Sequence, residues 1–118
     1  MQFLLLLYHD EKQFDAIPQD EKSKITREYM AVVEDLRRNG QYLGGNPLKM
    51  TTTAKTVRVR EQKAVVTDGP FAETKEQLGG YFLVEVKDVD EAAAIAARLP
   101  AARRGSVEVR EVPKIPGV

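Results

Sequence analysis

The sequence predicts one α+β domain in which two helices cover one face of a mostly antiparallel sheet. Three observations lead to this prediction. Strand-like segments occur at both ends and in the middle of the chain, two helix-like segments separate them, and 118 residues suit a single domain. A domain of this length buries a core without disulfides, and the chain has no cysteine to form them.

The first strand is predicted at residues 3–8, a continuous apolar run typical of a central strand covered on both faces. As a signal peptide the run is too short, lacks a basic region before it, and is followed at once by His9 and Asp10. No other segment is long enough to cross a bilayer. We therefore expect a cytoplasmic protein that begins with a buried strand.

The first helix is predicted to begin near Pro18, since proline suits a first helical turn. Asp20 and Glu21 follow, where the helix dipole favours acidic side chains. Gly40 marks the end of the helix. Between these signals, apolar residues recur at a spacing that forms one helix face: Ile25, Tyr29, Val32, Val33 and Leu36.

The middle of the chain is predicted to contain four strand segments. Residues 41–50 form a short or irregular strand because Gly-Gly-Asn-Pro interrupts them. Residues 56–60 alternate with a period of two and should have one wet face. Residues 61–63 connect the strand at 56–60 to a returning strand at 64–67. After a long connection, residues 81–86 have the pattern of a buried strand.

A second helix is predicted from Asp88, which is spaced from Glu91 as a capping pair. Its narrow apolar face comprises Val89, Ala92, Ala93, Ala96 and Leu99. Pro100 ends this helix, and residues 106–112 form the last strand. In this order the elements give a ferredoxin-like βαββαβ core with an extra β-hairpin, in a single domain over residues 1–118.

The long connection, residues 67–80 (TDGPFAETKEQLGG), has more chemistry than a plain loop needs. One interpretation is structural: Asp68 and Gly69 are a standard turn pair, Pro70 fixes the next position, and Phe71 plugs the core. In the functional interpretation, Asp68 ends a strand and presents its carboxylate to a pocket.

Two more carboxylates of this connection are candidates. Glu73 and Glu76 are three residues apart and share a face if this stretch forms a helical turn. Paired carboxylates can divide acid and base roles when their environments separate their pKa values. In the simpler interpretation these charges are solvated.

His9 is the single histidine of the chain. Beside Asp10 at a strand end, it is either a general base oriented by a carboxylate or an ordinary loop histidine. Tyr8 and Tyr81 are candidates to line a pocket, although aromatic residues in strands usually belong to the core. One histidine and no cysteine leave no familiar metal site, so we expect no metal and no cofactor.

The charges of the chain balance. Lysine and arginine total 18, as do aspartate and glutamate. A zero net charge argues against a nucleic acid or an anionic membrane surface as partner.

The long connection, together with YFLVEV at 81–86, resembles the signature of the DGPF-domain branch of the YCII-related family. Further matches lie in FLLLLYHDE, TTTAKTVRVR and LPAARRGSVEVREV, which are spread along the chain. The resemblance implies a dimeric α+β barrel, in which two ferredoxin-like sheets pack face to face across a two-fold axis. A homodimer is therefore expected.

The resemblance also bears on chemistry. Some YCII-like proteins are proposed to use a His–Asp pair, and one kind dehalogenates chlorinated aromatics. Matching without an alignment places Met30 and Leu99 at those two positions, so this chain lacks the pair. The DGPF branch offers Asp68 instead, with Glu73 nearby. DGPF proteins are also linked in bacteria with extracytoplasmic-function sigma factors, which implies a signalling context.

Two functions are expected. In the first, a small molecule binds a pocket at the barrel or dimer seam, and Asp68 and His9 supply lyase- or isomerase-like acid/base chemistry. The ligand would contact Tyr8, Gly69, Pro70, Phe71, Glu73 and Tyr81. The alternative is a non-enzymatic regulatory or interaction module associated with a sigma factor, which predicts an exposed patch and no enclosed pocket. If neither holds, the connection is purely architectural.

Overall fold

A computed structural model describes residues 1–117. These residues form six strands, four α-helices and a short 3-10 turn at Thr51–Thr53. The strands are β1 (Gln2–His9), β2 (Tyr42–Pro47), β3 (Lys55–Arg60), β4 (Lys63–Asp68), β5 (Gln77–Glu85) and β6 (Ser106–Val112). The helices are α1 (Glu11–Asp15), α2 (Gln19–Arg38), α3 (Val89–Ala97) and α4 (Pro100–Arg104).

Four strands form one sheet in the order β2-β5-β1-β6, and every neighbouring pair is antiparallel. Strands β3 and β4 form a separate two-stranded hairpin. The α+β fold class and the ferredoxin-like arrangement with an extra hairpin are thus confirmed. We call residues 55–68, which comprise this hairpin, the arm.

The helices cover one face of the sheet. Along β1, Phe3, Leu5 and Leu7 are buried against them, whereas Leu4 and Leu6 are only half-buried on the opposite face. We call this opposite face the outer face. The prediction that the first strand is covered on both faces is therefore wrong for the protomer, because its helices supply apolar side chains to one face only.

Helix α2 agrees with its sequence signals. It follows Pro18 directly, carries acidic residues in its first turn, and ends at Arg38 before Gly40, whose φ is 68°. Its buried residues are Ile25, Val32, Val33 and Leu36. The Tyr29 hydroxyl accepts a hydrogen bond from the Ala101 backbone N–H at 3.0 Å. This bond ties α2 to α4.

The second predicted helix is correct at its start and in part of its apolar face, since Ala92, Ala96 and Leu99 are buried. The Asp88 side chain accepts a bond from the Glu91 N–H at 2.9 Å, as the spacing predicts. The buried residues are Ala92, Ile95 and Ala96, however, and Val89 is 52% exposed. An Ala-rich helix has no strong apolar stripe, so its few larger side chains decide which side packs.

Two short helices were not predicted. Asp10 caps α1 by accepting bonds from the N–H groups of Lys12 and Gln13, both at 3.1 Å. Pro100 follows the end of α3 and also begins α4, where its missing N–H costs no hydrogen bond. Helices of five residues are too short to leave a periodic pattern in the sequence.

The loop between β4 and β5 covers only residues 69–76, so it is shorter than the signature at residues 67–80. Strand β5 begins at Gln77, four residues before the predicted start, so the end of the signature lies in the sheet. Residues 69–76 have no helical turn, and Glu73 and Glu76 therefore do not share a helix face.

Candidate functional site

A cavity of about 490 Å³ lies on the helix side of the sheet, between α2 and the strands β2 and β5. Its volume is within the usual range for sites that bind small molecules. Aromatic and aliphatic side chains dominate its walls, and the segment after β2 borders it on one side. The residues that line the cavity include His9, Glu11, Phe14, Met30, Tyr42 and Gly79.

His9 is the cavity residue best suited to acid/base chemistry. It ends β1, is half-buried, and stacks on Phe14 with ring centroids 4.9 Å apart and planes at 29°. Burial lowers the pKa of His9 below its ordinary value of 6.5, while the carboxylates of Glu11, Asp10 and Glu76 act in the opposite direction. The lowered pKa favours the neutral imidazole, the form that can accept a proton.

The backbone of Gly79 lies directly against the His9 ring. A Cβ at this position would overlap His9 Cε1 and would lie only 3.0 Å from Nδ1. The β1–β5 register also shifts here, between Leu7 and Tyr8, which leaves Gly79 as a bulge. Gly79 of the signature thus has a physical reason: the imidazole needs the space that a side chain would fill.

Glu11 closes the cavity beside His9. Its carboxylate accepts hydrogen bonds from both the backbone N–H and the hydroxyl of Thr51, the former at 3.0 Å. Its own N–H donates to the Gln77 side-chain oxygen, also at 3.0 Å. Helix α1 therefore links the segment after β2, which borders the cavity, to the start of β5.

Cations border other parts of the cavity. Lys22 donates to the Asp15 carbonyl at 2.9 Å and lies 5.8 Å from the centre of the Phe14 ring. The Arg37 guanidinium lies 4.9 Å from the centre of the Tyr42 ring. These contacts hold both cations against aromatic walls; Lys22 is half-buried there, whereas Arg37 stays exposed.

The structure brings His9 and Tyr81 to the cavity but not the DGPF carboxylates. Asp68 ends the arm, its side chain is 85% exposed, and it forms an ion pair with Lys55. Gly69 has a φ of 92° and donates to the Ala54 carbonyl at 2.7 Å, so it serves as the turn residue that the sequence predicts. Pro70 and Glu73 follow on the surface.

Three aromatic predictions have different outcomes. Phe71 is 79% exposed, so the prediction of a core plug is wrong for the protomer: the turn at Gly69 directs it away from the core. Tyr8 lies on the outer face, because Leu7 before it faces the helices. Tyr81 borders the cavity, while its hydroxyl accepts a bond from the Asn46 side-chain amide at 3.1 Å.

The two positions matched to the His–Asp pair also separate. Met30 borders the cavity and is 52% exposed, whereas Leu99 is fully buried in the core. Within residues 1–117, no group of three histidine, aspartate or glutamate side chains is placed to hold a metal ion. His9, the single histidine of the chain, borders the same cavity as Met30 but at a different point.

Comparison with known proteins now gives the family. The family model of the YCII-related domain matches residues 1–115. An uncharacterised protein of Rhizobium meliloti (strain 1021) is 38% identical over 112 residues, which cover 93% of this chain and 90% of that protein. The chain belongs to the YCII-related family.

One solved structure is also similar. It is 5-chloro-2-hydroxyhydroquinone dehydrochlorinase (TftG) from Burkholderia phenoliruptrix AC1100, in complex with 2,5-dihydroxybenzoquinone. The similarity covers 96% of this YCII-related chain and 94% of TftG, with 16% identity and a TM-score of 0.49.

Sequence reasoning missed Glu11, Phe14 and Gly79 as parts of the site. A signal for Gly79 was present, because a glycine pair inside a strand indicates a close approach by another group. Antiparallel pairing of β1 with β5 places that pair near the end of β1, where Gly80 is opposite Leu7 and His9 follows two residues later. Phe14 left no signal, since α1 is too short for a pattern.

Among residues 1–117, no helix has both the length and the apolar character that crossing a membrane requires.

Proposed function

We propose that this protein binds a small organic molecule in the cavity beside His9 and transfers a proton to or from it. The His9 imidazole, held between Phe14 and Gly79 at the cavity wall, is the observation that carries the proposal. Membership of the YCII-related family is compatible with such chemistry. The sequence at residues 67–80 supports the DGPF branch as its place within that family.

The surroundings of His9 suit a general base. Burial keeps the imidazole neutral before the reaction, so one ring nitrogen is free to take a proton. The carboxylates of Glu11, Asp10 and Glu76 then favour the imidazolium that results. The same proton can return to another atom of the ligand, as in an isomerase, or to a departing group, as in a lyase.

Asp68 enters this proposal only through a second copy. Within one protomer it lies on the arm and does not border the cavity. In the homodimer that the family resemblance implies, two outer faces pack together, on the side of the sheet opposite the cavity. A role for Asp68, with Glu73 and Phe71, thus depends on a separate site that a partner would complete around the arm.

The proposal is tested first by binding. Because His9 is the single histidine, its Cε1–H resonance is an unambiguous reporter in proton NMR. We expect small aromatic compounds, with 2,5-dihydroxybenzoquinone among the first to try, to shift this resonance and to compete with one another. Compounds that bind with no change at His9 would contradict a site beside the imidazole.

Proton transfer is tested with 5-nitrobenzisoxazole, which opens to a coloured phenolate when a base removes its C3 proton and the N–O bond breaks. We expect the rate to rise with pH through the His9 pKa and to fall by on the order of 10²-fold in His9→Ala. Tyr8→Phe, which changes the outer face, should keep the full rate. Equal rates in wild type and His9→Ala would overturn the catalytic part of the proposal.

The alternative function, an interaction module associated with an extracytoplasmic-function sigma factor, rests on the DGPF resemblance. The exposed arm would give such a partner a surface, whereas the cavity favours ligand binding. A pull-down with a purified sigma factor, repeated with an arm variant, separates the two: retention by wild type and not by the variant favours the module.

A further inference from the structure

The cavity is a long groove that follows helix α2. The first and last residues of this helix that border it are Lys22 and Arg37. They are 15 positions apart in the sequence, which corresponds to about 22 Å along the axis of an α-helix. A ligand that fills the groove is therefore extended along α2.

The strand side of the groove gives a similar length. Gly79 of β5 lies against His9, and Val84 of the same strand pairs with Tyr42. These two positions of β5 lie about 17 Å apart at the usual rise of an antiparallel strand. We call the two ends of the groove the histidine end, at His9, and the arginine end, at Arg37.

The middle of the groove is apolar. The Phe82 ring lies there, with its centroid 6.1 Å from that of Tyr29 and 6.2 Å from that of Tyr42. Met30 and Val33 border it from α2. Among the described residues that line the cavity, the charged ones lie only towards its two ends. An apolar ligand body fits this stretch, as in most sites that bind small molecules.

The histidine end is balanced in charge. Lys22 lies 3.8 Å from the carboxylate of Asp15. Lys49 and Glu11 also line this end. The position of Lys49 follows from the residue before it, whose N–H donates to the Gly79 carbonyl at 2.9 Å. Two cations and two carboxylates thus offset each other, and this end suits an uncharged part of a ligand.

The arginine end has a cation without a carboxylate. The Arg37 guanidinium lies over the Tyr42 ring, and such stacking leaves its N–H groups available at the edge. The nearby acid on the same helix, Asp35, is paired with Arg38 and Arg98. Within residues 1–117 the Arg37 side chain forms no ion pair of its own. It is therefore ready to bind an anion, and a planar carboxylate fits its paired donors.

We propose that the groove binds an elongated acid. Its carboxylate lies at Arg37, its apolar body runs along α2 past Phe82, and its uncharged end lies beside His9. The inference rests on the proposed function, since it names the substrate class of the same cavity. It also places the atom that exchanges a proton with His9 at the end of the ligand remote from the carboxylate.

The test is calorimetric titration with sodium dodecanoate, kept below the concentration at which it forms micelles. We expect the wild type to bind it, and Arg37→Gln to bind it on the order of tenfold more weakly. Arg27→Gln is the matched control, because Arg27 is also an exposed arginine of α2 but does not border the cavity. Absence of binding to the wild type, or equal weakening in both variants, would overturn the proposal.

A second probe tests the charge of the ligand. Dodecyltrimethylammonium has the same length of alkyl chain and a positive head group. We expect the wild type to prefer dodecanoate to this cation, and the preference to shrink in Arg37→Gln. Equal affinity of the wild type for both probes would show that the chain alone is recognised, and would refute an acid as the ligand class.

The His9 Cε1–H resonance tests the placement along the groove. Dodecanoate should shift this resonance in the wild type although its carboxylate binds at the other end. Binding that depends on Arg37 but leaves the His9 resonance unchanged would overturn the extended placement. If small aromatic compounds shift the resonance and dodecanoate does not bind, this inference fails and the proposed function stands. If no compound binds, both fail.

Discussion

The imidazole of His9 lies against the backbone of Gly79 so closely that a Cβ on Gly79 would overlap ring atom Cε1. This contact joins the end of the first strand to the end of the family signature. It also explains why a residue without a side chain stands inside β5. Predictions about the site follow from it.

Gly79→Ala is expected to displace the His9 ring and to destabilise the fold by about 1–3 kcal/mol, as overpacking does. In the 5-nitrobenzisoxazole assay, Gly79→Ala should lose most of the part of the rate that depends on His9. In a His9→Ala background the same change should cost much less, because the overlapping ring is gone. Urea denaturation of the four proteins measures this cycle, and additive costs would contradict the contact.

Protonation of His9 is expected to oppose folding. Its folded pKa is lowered by burial, so the unfolded chain binds the proton more readily. The stabilisation from a neutral His9 is complete above pH 6.5 and is lost as the pH falls below that value. Denaturation of wild type and His9→Gln at pH 7.5 and in mild acid measures it, and a difference that grows with acidity in favour of wild type would refute it.

Glu11→Gln is expected to lower the pKa of His9 further, because the Glu11 carboxylate acts to raise it. The His9 Cε1–H resonance, followed over pH, gives this pKa directly. Asp15→Asn is a suitable control, since this carboxylate also borders the cavity but is not among the groups that shift His9. A His9 pKa that rises in Glu11→Gln would count against the arrangement.

Leu36→Ala is expected to destabilise the protein by about 2–5 kcal/mol, because it leaves a cavity where the side chain is 1% exposed. Met30→Ala on the same helix should change stability by about 0.5 kcal/mol or less, since Met30 is 52% exposed. Met30 borders the ligand cavity, so its replacement should alter compound affinity instead. Thermal melts and NMR titrations together separate these roles.

The sequence was informative where patterns are long. Helix α2 was predicted from a 20-residue element with signals at both ends, and the strands followed from their apolar runs. It was less informative about α3, whose small side chains leave the packing face undecided. Helices α1 and α4 have five residues each, so they are too short to show a period of apolar residues. Their formation depends on local signals at their first residues.

The candidate site shows the same division. His9 was predicted because it is the single histidine at a strand end. The cavity itself depends on how α2 lies over β2 and β5, a tertiary relation that no segment encodes alone. Asp68 was favoured by its place in the signature, yet a turn residue and a hairpin arm direct it into solvent.

The arm also has a consequence for protein handling and quality. A valine-rich hairpin with two free edges is a template on which other chains can add strands and form aggregates. Arg58, Arg60 and Lys63 place positive charges on the face opposite Val57 and Val66, where like charges on stacked copies repel. Loss of these charges is therefore expected to make the protein prone to β-rich precipitation, so the basic face protects each newly made chain.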